Sequence, residues 1–380
     1  MSVQGSPCGT MNCSSDSVGA MARSELSAQV RYDVVVVGAG QAGLAIGYYL
    51  QQRGSRFLIV DAGSAIGWSW AGRWDSLRLF TPARYSGLPG TPFPGAEDSY
   101  PDKTAVARYL AAYAHHHGLP IRLNTGITKV RRDRQGYVLA SDAGNIHARQ
   151  VVIATGPFQT ANIPSVAKHL SPEVVQLHSS EYQRPADLPY GQILVVGGGN
   201  SGFQIAVELT ERRSVDLAIG RRNAADPQRP LGRDLFWWQS VTGLIRVKAD
   251  SRFGRRMQQG EGTVIGLSPK QLRKRGVRFR PRLTGARSRT VEFCDNTYLD
   301  VDGIVWATGF RQDHSWIDVP EAMNTDGELR QRRGVTPSPG LYVLGLPWQH
   351  TTGSALLGFV KHDAAYIAEQ IASPGQSNAD

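Results

Sequence analysis

The stretch YDVVVVGAGQAGLAIGYYL, from Tyr32 to Leu50, returns in altered form as GQILVVGGGNSGFQIAVEL, from Gly191 to Leu209. In the first copy the run Val34 to Val37 is apolar throughout, as a strand buried on both faces of a parallel sheet must be. It breaks into Gly38-Ala39-Gly40-Gln41-Ala42-Gly43. Gly38 permits a tight turn, Gly40 lets the backbone approach a pyrophosphate, and Gly43 lets the following helix lie close to the strand. The start of that helix, with Gln41 and Ala42, turns free N–H groups and partial positive charge toward the phosphates. A second apolar strand, RFLIV, ends in Asp61, roughly 20 residues past the glycines, where an acid grips a ribose hydroxyl.

The second copy repeats this logic with one change. The strand ILVV leads into Gly197-Gly198-Gly199-Asn200-Ser201-Gly202, a helix follows through Glu208, and the next strand, VDLAI, ends at Gly220-Arg221-Arg222. An acid there would repel a 2′-phosphate, whereas a guanidinium binds one with two parallel hydrogen bonds. The second cradle therefore reads as an NADPH site, with Asn200 and Ser201 placed to meet the pyrophosphate or to cap the helix. The first reads as a site for a dinucleotide without that phosphate, namely FAD. Two such sites on one chain imply that electrons pass from one cofactor to the other.

Length and composition agree with this. The chain has 380 residues, enough for two or three domains, and 41% of them are apolar against 19% charged. No apolar run reaches the roughly 20 residues of a membrane span. Cys8, Cys13 and Cys294 cannot build a disulfide framework, which suits a reducing cytoplasm. The net charge of +10 comes largely from Ser251 to Arg289, where Glu261 is the only acid. Without a nucleic-acid-binding motif, that stretch reads as a solvated face or one that draws in phosphorylated ligands. His115 to His117 invite a metal, but successive helical positions point apart, and no metal is expected.

The expected fold class is α/β, with two Rossmann-like dinucleotide-binding domains. Two related phrases, QVVIATGPF and DGIVWATGF, each put Ala-Thr-Gly after an apolar strand. They suit a chain returning to the edge of a nucleotide domain, and they add Thr155, Gly156, Thr308 and Gly309 to the cofactor-binding candidates. The resulting division is an insertion. Residues 1–28 form a disordered leader, with Met21 a possible start. Residues 29–165 open the FAD domain, 166–300 form the NADPH domain, and 301–380 close the FAD domain and end in a tail.

These segments together resemble a class B flavin monooxygenase, of the bacterial kind related to the plant enzymes that form auxin. The resemblance covers nearly the whole chain after the leader and includes both cradles, WSWAGRWDSLRLFTPARYSGLPGTPFP (Trp68 to Pro94), both Ala-Thr-Gly phrases and the ending GSALLGF. The family's signature, Phe-x-Gly-x-x-x-His-x-x-x-aromatic, is altered: PEVVQLHSSEY keeps His178 and Tyr182 but has Pro172 and Val174 in place of Phe and Gly. The resemblance implies that NADPH reduces FAD, that oxygen adds to the flavin as a hydroperoxide, and that one oxygen atom passes to a small nucleophile, nitrogen or sulfur. It places Trp68, Trp70, Trp74 and Phe80 near the flavin, where apolar bulk would exclude water. FWWQS (Phe236 to Ser240) and PWQHTTGS (Pro347 to Ser354) are candidate substrate loops. No side chain stands out as a catalytic acid or base. A disulfide reductase would need a redox-active cysteine pair, which the chain lacks. A reductase or oxidase that does not oxygenate, and a nucleotide sensor that does not turn over, remain as alternatives.

Overall fold

The computed structural model describes residues 30–220, 224–259 and 263–372. The expected leader, Arg221 and Arg222, and the C-terminal tail lie outside these. The fold is α/β and is organised on two sheets. The larger has eight strands, of which Ile317–Asp318, Ile127–Asp133, Gly136–Ser141, Gly144–Ile153, Arg31–Val37, Phe57–Val60 and Ile121–Arg122 follow one another across it. The long strand Gly144–Ile153 serves two neighbourhoods. Its first half pairs antiparallel with Gly136–Ser141, while its second half runs parallel to both Arg31–Val37 and Leu341–Val343.

The smaller sheet is entirely parallel, in the order Arg278–Arg280, Ser214–Ala218, Gln192–Val196, Gly303–Trp306, Val175–His178. The strand Gly303–Trp306, read from the sequence as part of the closing segment of the first unit, belongs to this second sheet. Its residues pair one for one with Ile193 to Val196.

Parallel strands need cover on both faces. In the first unit Gln41–Gln52, Lys103–His116 and Val360–Ala372 cover one face and join one apolar core, while the other face, with Val35, Val37, Leu58 and Val60, packs on Val130, Tyr137, Leu139 and Ile146 of the antiparallel strands. The helix Lys103–His116 begins where Asp102 accepts a hydrogen bond from Ala105 N–H at 2.8 Å, satisfying a free helix-start donor. In the second unit Asn200–Leu209 covers one face, while Val291, Phe293 and Trp306 lie in the core on the other. Among the described residues no helix is long and apolar enough to cross a membrane.

The basic stretch near the end of the second unit is partly internal. Arg278 and Arg280 both reach the fully buried Asp216, and Arg289 pairs with Asp302. Three of its cations therefore answer acids in the sheet rather than only facing solvent. Cys294 is free and exposed.

Candidate functional site

The two cradles are built alike, atom by atom. In the first, Val37 pairs with Ile153, Gly38 N–H donates to Val60 O at 2.7 Å, and Ala154 N–H donates to Val37 O at 2.8 Å. In the second, Val196 pairs with Trp306, Gly197 N–H donates to Ala218 O at 2.9 Å, and Ala307 N–H donates to Val196 O at 2.8 Å. Each Ala-Thr-Gly phrase thus sits beside its own cradle. The contact is so close that only glycine fits. A Cβ on Gly38 would lie 2.6 Å from Ala154 O, and one on Gly197 would lie 2.1 Å from Ala307 O.

The third glycines meet the same limit. A Cβ on Gly43 would fall 1.8 Å from Gly38 O, and one on Gly202 would fall 2.0 Å from Gly197 O, so both hold helix against strand. The middle glycines differ. Gly40 and Gly199 have ordinary extended backbones, and a Cβ on either would meet nothing within 4 Å. Each sits immediately before its helix, facing open space at the carboxyl end of a parallel strand, where dinucleotides bind in such sheets. Neither helix start is capped by a side chain. This geometry fits a pyrophosphate at each cradle.

The remaining predicted residues divide by what they touch. Asp61 stands at the end of its strand, but its carboxylate already accepts from Ala39 N–H at 2.6 Å, Gly63 N–H at 2.7 Å and Trp68 Nε1–H at 2.9 Å. A carboxylate offers about four acceptor sites. Asp61 therefore braces the cradle and keeps one acceptor position beyond these three bonds. Gln41 spends its side-chain N–H on Ala355 O at 2.8 Å, tying the cradle helix to the ending GSALLGF. Ala42 is buried, and Gly345 approaches it so closely that a Cβ there would come within 2.8 Å of Ala42 Cβ.

In the second cradle Asn200 does not cap its helix. Its Oδ1 accepts from Ile265 N–H at 2.9 Å, which leaves the NH2 end as its remaining donor. Ser201 lies in the first turn. Thr155 Oγ1 accepts from Gln159 Nε2 at 2.8 Å, and Thr308 Oγ1 donates to Asn162 O at 2.5 Å. Gly156 and Gly309 carry positive φ of 70° and 80°, as their sharp turns require.

The aromatic segment spreads more widely than the resemblance implied. Trp70 packs against both main cores, Trp74 is buried in the second, and Trp68 is half exposed over Asp61. Phe80 stacks on Phe236 at 6.0 Å, and Tyr85, Phe236 and Phe359 complete an aromatic cluster. FWWQS is a helix rather than a loop, Leu235–Val241, started by Asp234 accepting from Phe236 N–H at 2.7 Å. The chain after it does meet the second candidate loop: Ala249 N–H donates to His350 O at 2.8 Å and Gly353 N–H to Ile245 O at 3.2 Å.

The altered signature has a structural use. Val174 is buried in the core behind the second sheet, and Pro172 is exposed. His178 reaches Gly309 O through Nε2 at 2.9 Å and pins the second Ala-Thr-Gly turn. Nε2 is the donor in that bond, since a carbonyl only accepts, and burial lowers the ring's proton affinity. Tyr182 donates to Glu208 at 2.8 Å. Burial raises the Glu208 carboxyl above its ordinary range, more than the hydrogen bonds from Tyr182 and Ser76 pull it down.

One acid escaped the sequence reading because nothing in its local pattern marks it. Asp363, in the first turn of Val360–Ala372, is buried and hydrogen-bonded by Ser354. Burial raises its pKa, against the pull of Ser354, His350 and Arg333. A carboxyl raised in the folded state contributes stability fully below its unfolded value, about 3.9, and that contribution is lost as pH rises through the folded value. Asp363→Asn is therefore expected to gain stability relative to the parent as pH climbs from about 4 to 7. Urea midpoints measured across that range would refute this if the two proteins ran parallel.

A chain with two such cradles, each beside its own Ala-Thr-Gly turn, is a two-dinucleotide oxidoreductase in its architecture. It belongs to the pyridine nucleotide-disulphide oxidoreductase family, whose description matches residues 35–232. A Geobacillus kaustophilus protein named as a CzcO-like oxidoreductase is 43% identical over 89% of this chain and 98% of its own length. A probable indole-3-pyruvate monooxygenase of Arabidopsis thaliana is 26% identical over 89% of this chain and 88% of its own. A flavin-containing monooxygenase from Stenotrophomonas maltophilia superposes with a TM-score of 0.76 at 27% identity, covering 90% of this chain and 98% of that one. The class B flavin monooxygenase resemblance is thus supported in sequence and in fold, and the chain is an oxidoreductase.

Proposed function

We propose that the chain is an NADPH-dependent flavoprotein monooxygenase that transfers one oxygen atom from O2 to a small-molecule nucleophile, at nitrogen or sulfur. The observation that carries this is the matched pair of cradles, each with a middle glycine opening onto free space. FAD would lie along Gly38, Gly40, Gln41, Ala42 and Gly43, with its ribose at Asp61 and the first turn at Thr155 and Gly156 beside it. NADPH would lie along Gly197, Gly199, Asn200, Ser201 and Gly202, beside Thr308 and Gly309, with Arg221 and Arg222 on its 2′-phosphate. The second unit would run from about residue 166 through Trp306, inserted into the first, and the setting would be the cytoplasm.

Bound FAD supplies the hydride acceptor and the centre that activates oxygen. The chain's own task is geometry and dryness. Phe80, Tyr85, Phe236 and Phe359 form an apolar wall between the segment after Trp74 and the ending GSALLGF. Such a wall excludes the water that would divert activated oxygen to peroxide.

The test uses purified protein loaded with FAD. It is titrated with NADPH without oxygen and then mixed with oxygenated buffer with and without NADP+. The reading expects bleaching by NADPH in preference to NADH. It also expects oxygen uptake without matching peroxide release while NADP+ is bound. Immediate stoichiometric peroxide would make the chain a reductase or oxidase, and no bleaching would remove the cofactor assignment altogether.

A further inference from the structure

One guanidinium lies at the junction of the two Ala-Thr-Gly turns. The segment carrying it crosses from the first core to the second: Trp70 touches both, Trp74 and Leu77 are inside the second, and Asp75 N–H donates to Gln183 O at 2.7 Å. Between them, Arg73 Cζ lies 5.6 Å from the Phe158 ring and 5.3 Å from the Phe310 ring. Those rings meet edge to face at 5.3 Å. Each closes one turn, ATGPF and ATGF, and the chains leaving the turns pair antiparallel through Thr160–Ala161 and Phe310–Arg311.

Among the described residues Arg73 has neither an ion-pair partner nor a hydrogen-bond acceptor for its guanidinium, while Arg278, Arg280 and Arg289 of the second unit each have an acid. Burial alone lowers its proton affinity. His178, against Phe310, supplies no negative charge in either protonation state. Arg73 is partly buried, and aromatic faces offset part of the cost of that burial without neutralising the charge. Gly156 and Gly309, at the bends of the two turns, leave open space where side chains would stand.

We propose that Arg73 is an anion site, and that its occupant is a phosphoryl oxygen of the nicotinamide dinucleotide held by the second cradle. This rests on the NADPH reading above. The second cradle is the source because the segment carrying Arg73 enters the core under that cradle, where Trp74 and Leu77 pack with Phe203, Ile205 and Ala206 of its helix. No covalent step is involved; the site binds and positions.

The experiment titrates FAD-loaded protein with NADP+, following the flavin spectrum, for the parent, Arg73→Gln and Arg73→Lys. Losing a charge-assisted bond should weaken NADP+ binding about 10- to 100-fold in Arg73→Gln. Arg73→Lys should recover part of it, and FAD content should not change. Inorganic pyrophosphate should compete with NADP+ in the parent and lose potency in Arg73→Gln, which a purely structural role would not cause. Equal NADP+ affinity in the parent and Arg73→Gln overturns the proposal and leaves the NADPH reading intact. A parent that binds no NADP+ overturns both. If the variants do not fold, phenylglyoxal labelling of Arg73 in the parent decides: protection by pyrophosphate supports the site, and labelling indifferent to pyrophosphate overturns it.

Discussion

Gly199→Val is expected to give a folded, FAD-loaded protein that NADPH reduces very poorly. The backbone at Gly199 is extended, with φ −84° and ψ −178°, so valine fits without strain, and its Cβ meets nothing within 4 Å. The side chain would instead occupy the space through which a pyrophosphate reaches the helix start. Losing two charge-assisted bonds at about 2 kcal/mol each weakens binding roughly 1000-fold. The same substitution at Gly202, three residues on, should fail differently, because its Cβ would stand 2.0 Å from Gly197 O and force helix and strand apart. Circular dichroism, FAD content and the NADPH concentration needed for half-maximal reduction separate the two cases. A Gly199→Val protein reduced at parental NADPH concentrations would mean that the open space is not a phosphate site.

Asp216→Ala is expected to cost about 2–4 kcal/mol of stability. Asp216 is fully buried on the strand Ser214–Ala218, next to the second cradle strand. It accepts from Arg278 Nη2 at 2.7 Å, Arg280 Nε at 2.7 Å and Gln192 Nε2 at 2.6 Å. Its removal leaves two guanidinium groups facing each other without their shared acid. Both arginines retain some solvent exposure, which keeps the cost below that of a sealed pair. Because the strand next door, Gln192–Val196, leads straight into Gly197, NADP+ affinity should fall along with the urea midpoint. An unchanged midpoint would show that solvent already carries the two cations.

Both predictions lean on features of unequal visibility in the sequence. The cradles were legible because glycine spacing and apolar runs are local signals, and the structure realises them as Arg31–Val37 with Gln41–Gln52 and as Gln192–Val196 with Asn200–Leu209. What stayed hidden is long-range. Gly303–Trp306 has the same local character whichever sheet it joins, and only its pairing with Ile193 to Val196 decides the matter. Trp74 looks like any flavin-side aromatic until its neighbours in the second core are known. The partners of Asp216 lie 62 and 64 positions along the chain, and Arg73 meets Phe158 and Phe310 across longer separations still. Even the signature histidine is explained by a distant carbonyl, that of Gly309.

The pairing of Thr160–Ala161 with Phe310–Arg311 brings the chain back beside the place it left. Adjacent paired strands stand about 5 Å apart. Everything between Ala161 and Phe310 is therefore a closed excursion whose entrance and exit coincide. A segment with coincident ends can be removed and bridged by a very short connector, or exchanged for another segment with the same spacing, without redrawing the sheet that remains. If the proposed NADPH reading holds, most of the nicotinamide site would travel with this excursion, and recombination at these two short strands would be a direct route to altering nicotinamide preference.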